Sequence, residues 1–183
     1  MRKLVLLVAL GCAVTACSPS EPAPTGAPTP TLAGTPSVDP STDPLYLEAV
    51  DVYKKYVAEL AKYEATSYAN PQLPPELDQY ISGSMKEAVQ GAVKNSIAAD
   101  SAPAKDSTAP SLEFAPNPGV QRADSETSIR VCVDSRQGTV VRRSTKQPIG
   151  SGVLAYKEIY FKRIDGVLKG FLSDAKQVQE CPF

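Results

Sequence analysis

The chain has 183 residues, with nineteen Lys and Arg against twenty Asp and Glu, no His and no Trp. The absence of His removes imidazole-based nucleophile activation and His-ligated metal from the chemistry open to it. Near-neutral charge, with basic residues dispersed and not interleaved with aromatics, argues against a nucleic-acid platform.

The first seventeen residues, MRKLVLLVALGCAVTAC, open with the positive pair Arg2 and Lys3 and run through an apolar segment from Leu4 to Leu10. That segment has the length of a secretory leader and is too short for a permanent membrane span. Val14-Thr15-Ala16-Cys17 resembles the lipobox of bacterial lipoproteins, in which the Cys is acylated and becomes the new N-terminus. The resemblance implies a signal peptide over residues 1–16, lipid on Cys17 and a place on the extracytoplasmic face of the cell membrane. Cys12 is the weaker acceptor, because its apolar run is barely seven residues and Ala9 stands where Leu or Val is preferred. A leader cut near Ala16 without lipid is the alternative.

Residues 17–44 carry that anchor and a tether. Between Ser18 and Pro44 stand eight of the seventeen prolines, with no aromatic residue and no positive charge. Such a segment buries too little apolar surface to offset its ordering entropy. It is expected to remain disordered as a semi-stiff polyproline-like spacer, reaching on the order of 80 Å when extended. Residues 45–183 then suffice for one domain.

The spacing of Tyr46, Val50, Tyr53, Val57, Leu60 and Tyr63 predicts an amphipathic helix over Tyr46–Ala65, with Asp43 as N-cap, Pro44 in the first turn and the tyrosine stripe in the core. Pro74-Pro75 predicts a short helix through Ile81. Ser82 or Ser84 opens another, running to about Ala99 and carrying Met85, Ala88, Val89, Val93 and Ile97 on one face. Ala98–Pro110 reads as a loop. Beyond it the period becomes two. Ser111–Ala115 and Thr127–Asp134 read as strands, the latter with Ile129, Val131 and Val133 on one face and Arg130, Cys132 and Asp134 on the other. Gly138–Arg143 is a short strand and Gln147–Gly152 a loop. Leu154–Ile164 and Val167–Ser173 form a hairpin through Asp165-Gly166, the preferred chemistry for a type I′ turn. Helices first and a meander afterwards predict an α+β domain with helices on one face of an antiparallel sheet.

With Cys17 assigned to lipid, Cys132 and Cys181 remain. In an exported protein without a Cys-x-x-Cys pair they read as one disulfide. Catalytic raw material is sparse. Glu158 shares strand parity with Tyr156 and Tyr160, so the three mark a candidate pocket, and a carboxylate among phenols in an apolar recess can become a base. Asp134 is the other carboxylate in view. The plainer expectation puts Glu158 and Lys162 at a solvated rim, with no catalytic residue, metal or cofactor. Basic residues are concentrated from residue 122 onward, with eleven positive and seven negative charges there, which reads as a solvated sheet face.

The lipobox and Pro/Thr tether, the Tyr- and Ala-rich first helix, the Val131-Cys132-Val133-Asp134 strand, the polar segment ending in Gly150 and the Asp165-Gly166 turn ahead of Lys169 together resemble small actinobacterial lipoproteins with an NTF2-like, cystatin-like cone domain. Members often carry a Trp after the hairpin glycine, where this chain has Val167 and Leu168. The resemblance implies a curved sheet wrapped around helices with room for a pocket. Expected is a lipid-anchored, non-catalytic domain that binds an envelope protein or a small ligand. The alternatives are a cone-fold enzyme acting on a small hydrophobic molecule and an accessory subunit of a secretion or conjugation apparatus.

Overall fold

A computed structural model of the chain describes residues 39–119 and 122–183. The leader, Cys12, Cys17 and the tether up to residue 38 therefore lie outside the described residues.

Helix α1, Pro44–Glu64, starts where the sequence places its cap. Asp43 is extended, and its carboxylate oxygen accepts from the amides of Leu45 at 2.7 Å and Tyr46 at 3.4 Å. A cap of this kind contributes about 1 kcal/mol. At the far end the Thr66 hydroxyl donates to the Tyr63 carbonyl, and Ser67 and Tyr68 turn the chain with positive φ. A 3-10 turn, Pro75–Gln79, leads to α2, Gly83–Ala98. Ser82 caps α2 by position only, since its side chain makes no bond to the first turn.

Seven strands follow: β1 (Ser101–Pro103), β2 (Ser111–Pro116), β3 (Thr127–Asp134), β4 (Thr139–Arg142), β5 (Pro148–Ser151), β6 (Leu154–Ile164) and β7 (Val167–Gln177). They form a four-stranded sheet in the order β2-β3-β6-β7 and a three-stranded sheet in the order β1-β4-β5, antiparallel throughout. The fold is α+β.

Two expectations are corrected here. Residues 98–110 contain β1, and residues 147–152 contain β5. β1 is three residues of small and prolyl side chains, and β5 is exposed along its whole length. Neither has an alternating face, so their pairing with β4 is imposed by tertiary context and not by local pattern. β7 also runs beyond Ser173 to Gln177, pairing with the first half of β6.

The large sheet sorts its side chains by parity. Ile129 and Val131 from β3, Ile159 and Phe161 from β6 and Leu168 from β7 are buried in one cluster with Tyr46, Ala49, Val50, Tyr53 and Tyr56 of α1. Burying a large apolar side chain contributes about 1.5–3 kcal/mol, so this interface fixes where α1 lies. Tyr56 belongs to that core, whereas Val57 and Leu60 pack at its margin. The β6–β7 hairpin turns on Asp165 (φ 52°) and Gly166 (φ 78°), the paired positive φ that a type I′ turn demands.

Along β7 the register slips between Tyr160 and Phe161 of its partner: Tyr160 faces Leu172, Phe161 faces Gly170, and Phe171 has no partner. Gly170 is where the chain before α2 meets the sheet, its amide donating to the Tyr80 carbonyl and its carbonyl accepting from the Ser82 amide. A Cβ at this position would lie 2.8 Å from the Met85 sulfur and 3.3 Å from an Ile159 methyl, so a larger residue would have to displace the Met85 side chain.

On the sheet face turned away from α1, Cys132 is joined to Cys181, with Cα atoms 6.0 Å apart. The bond draws the C-terminal residues across this face, where the Phe183 ring lies 6.2 Å from that of Tyr156 and 5.3 Å from the Arg130 guanidinium carbon.

Candidate functional site

The sequence points first to Tyr156, Glu158 and Tyr160, and the fold brings them together. Glu158 accepts a hydrogen bond on each carboxylate oxygen, from the Tyr156 hydroxyl at 2.8 Å and from the Tyr160 hydroxyl at 2.8 Å. The two phenols hold its carboxyl below the usual carboxylate range. Burial, then the Glu158 carboxylate, pushes both phenols up to about 12. The group lies on the outer face of β6, away from α1. Tyr156 and Glu158 border a shallow recess of about 190 Å³ with Asp174 and Lys176, while Tyr160 is buried. Asp134 is likewise occupied, bound through both oxygens by Arg136 at 2.9 and 2.7 Å and pulled down to about 2 by that side chain. Neither carboxylate is poised to take a proton near neutrality.

This geometry predicts the effect of Glu158→Gln. The substitution removes an anion that two hydroxyls solvate and is expected to cost about 1 kcal/mol at pH 7. Glu158 has a depressed folded pKa, so its contribution is complete above its unfolded value and is lost as pH falls through the folded one. Urea unfolding of both proteins should therefore show a gap at pH 7 that narrows as pH falls below the ordinary glutamate value of 4.5. A gap persisting in acid would contradict the assignment.

The inner face of β6 carries Lys157, Ile159 and Phe161. There the last three turns of α1 border a partly enclosed cavity of about 260 Å³. Tyr53, Tyr56, Leu60 and Glu64 of α1 form one wall, Val133 and Lys157 another, and Pro103 and Val140 of the small sheet close the end. Among the residues lining it, Lys157 is the one cation and Glu64 the one carboxylate.

Burial pushes the Lys157 amine down, and the charge of Glu64 opposes this. Burial pushes the Glu64 carboxyl up, while Lys157 and the Tyr68 hydroxyl pull it back. The phenols of Tyr53 and Tyr56 are raised strongly, again by burial. Nine ion pairs occur among the described residues, and none includes Lys157 or Glu64.

A wider hollow of about 590 Å³ lies beside the small sheet, bordered by the exposed residues Thr66, Lys105, Asp106, Lys146 and Pro148. Apart from the buried Val141 its walls are largely polar or exposed, so it offers a small ligand less apolar surface. No group of three His, Cys, Asp or Glu side chains among the described residues could hold a metal ion. No described helix is long and apolar enough to cross a membrane.

Sequence reasoning missed Lys157 and Glu64, although both left a signal. Glu64 continues the Tyr53, Val57, Leu60 progression by one more turn. Lys157 sits two residues before Ile159 and four before Phe161, so strand parity places it on the apolar face. Comparison with protein-family models, curated proteins and solved structures returns no match for this chain. The functional reading therefore rests on the site.

Proposed function

We propose that this is an extracytoplasmic binding domain, held at the membrane through lipid on Cys17, which takes a small ligand into the cavity between α1 and the large sheet and performs no reaction on it. The observation that carries this reading is the cavity itself: mostly apolar walls, with the hydroxyls of Ser107, Thr108, Ser135 and Thr139 and the carboxyl of Glu64, around one ammonium group that has no ion-pair partner among the described residues. Small-ligand sites have this composition, mostly apolar with few convergent polar groups. The long first helix lying across a four-stranded antiparallel sheet supports the finer reading of the α+β fold as an NTF2-like cone. The occupied oxygens of Glu158 and Asp134 support a non-catalytic role.

Filling the cavity tests the reading. Ala61 faces the cavity, and Ala61→Phe puts a ring into it. Native mass spectrometry of the protein purified from its membrane should find a small molecule retained by the wild type and absent from the variant. Equal retention by both would place the ligand elsewhere. Cys17→Ala tests the anchor: the protein should leave the membrane fraction or persist there as an uncleaved precursor, whereas Cys12→Ala should change nothing. A mature N-terminus without lipid, at a position other than Cys17, would refute the anchor.

One observation favours a second reading, a cone-fold enzyme acting on a small hydrophobic molecule. An amine pushed down and a carboxyl pushed up face the same apolar recess, the kind of perturbed pair found where acid–base chemistry is done. Under that reading the neutral Lys157 amine adds to a carbonyl carbon, the carbinolamine loses water to give an imine, and borohydride should reduce that C=N bond to a stable secondary amine on Lys157.

A further inference from the structure

We propose that the ligand of the α1–sheet cavity is a small apolar monocarboxylate, bound through its carboxylate to the Lys157 ammonium, an assignment that rests on the cavity being a ligand site. A partly buried ammonium is stabilised by a carboxylate in direct contact, and the Lys157 amine makes no such contact among the described residues, Glu64 acting on it only through its field. A ligand carboxylate supplies that contact most directly, through charge-assisted N–H···O bonds.

The surroundings select among anions. The cavity has no Arg and a single Lys, and it lies against the C-terminal turns of α1, the negative end of the helix dipole. A phosphate or other dianion would face that end and the Glu64 carboxylate with one positive charge in support. A monoanion leaves the site near balance once Glu64 takes up a proton. Two carboxylates sharing one recess do not both stay ionised, and the protonated Glu64 becomes a donor to the ligand. A ligand amine would set a second cation beside Lys157, and a neutral alcohol would give it no charge-assisted bond, leaving only the field of Glu64.

Size narrows the class further. An engineered apolar cavity of about 150 Å³ accepts benzene, so the 260 Å³ found here suits one ring or a branched chain with a short acidic arm. The roles divide among named side chains: Lys157 binds the anion, Glu64 carries the proton, and Tyr53, Tyr56 and Leu60 hold the apolar body.

The test uses one skeleton with three head groups: 3-phenylpropanoate, 3-phenylpropan-1-ol and 3-phenylpropan-1-amine. Each is titrated calorimetrically into the full-length protein in detergent. The acid should bind at least 10-fold more tightly than the alcohol, the margin of one charge-assisted hydrogen bond, and the amine should bind weakest. Lys157→Met should abolish the preference for the acid. Lys157→Gln, which keeps a hydrogen-bond donor and loses the charge, should do the same. In buffers of different ionisation enthalpy, acid binding should be accompanied by proton uptake that disappears in Glu64→Gln. Alcohol or amine binding as tightly as the acid would overturn the carboxylate assignment and leave the cavity reading standing. Failure of all three to bind would overturn both. Proton uptake that survives in Glu64→Gln would remove Glu64 from the account.

Discussion

Replacing Cys132 and Cys181 together by Ala is expected to lower stability by about 4 kcal/mol. The bond joins positions 49 residues apart, and in the chain-entropy description a loop of that length restricts the unfolded ensemble by about 4 kcal/mol at 25 °C. Native contacts contribute less, because little else fastens the last residues. Among the described residues the tail beyond β7 is held by the Val178 amide bond to the Leu154 carbonyl and by the Phe183 ring against Tyr156 and Arg130. Cys132 is buried on the outer face of β3, and Ala fills that place with a small loss of volume. Urea unfolding at pH 7 should show a midpoint shift with an m-value that rises as the unfolded chain expands. A melting temperature lower by roughly 10–15 °C is the thermal counterpart. A loss under about 1 kcal/mol would mean that the unfolded chain is already constrained without the bond.

Lys157→Met is expected to act in the opposite direction, raising stability by about 1–3 kcal/mol at pH 7. Methionine keeps the length of the side chain and removes an ammonium that the fold withdraws from water without an ion-pair partner. The groups facing Lys157 across the cavity are Glu64, Tyr53 and Tyr56 on α1. Of these only Glu64 carries charge near neutrality, and burial pushes its carboxyl up. The pH dependence carries a definite sign. The folded pKa of Lys157 is depressed, so the unfolded state binds the extra proton between the folded value and the unfolded 10.5. Wild-type stability contributed by this group therefore rises with pH through that window. The advantage of the methionine variant should shrink from pH 7 to pH 10, as read from urea midpoints of both proteins. A variant less stable than wild type by more than about 1 kcal/mol would show instead that Lys157 is a structural ion-pair member. A position that costs stability and is nonetheless lysine is the pattern expected of a binding group.

Much of the architecture was legible because its physics is local. Asp43-Pro44 announces the start of α1, alternation in Thr127–Asp134 sorts core from exterior, and Asp165-Gly166 specifies a turn that only positive φ can make. The small sheet was not legible, since Ser101–Pro103 and Pro148–Ser151 have neither alternation nor β-branched runs. Their strand form depends on β4 being present between them. The site was half legible. Parity joined Tyr156, Glu158 and Tyr160 correctly, but parity alone does not say which face of β6 meets the helix. Ile159 and Phe161 decide that, and they carry Lys157 inward with them. Glu64 was hidden differently. Acidic residues near a helix end read as solvated, and only the packing of Tyr68 and the sheet around this one withdraws it from water.

The position of the cavity along α1 has a practical consequence for any reporter attached to the protein. From Asp43 at the helix start to Leu60 in the cavity wall is about 25 Å, at about 1.5 Å per residue. A sensor surface or fusion partner joined ahead of residue 39 is thus attached at the end of α1 opposite Leu60 and Glu64. A fluorophore at Phe183, on the opposite face of the sheet, would register movement of the disulfide-tied tail and stay silent to what fills the cavity.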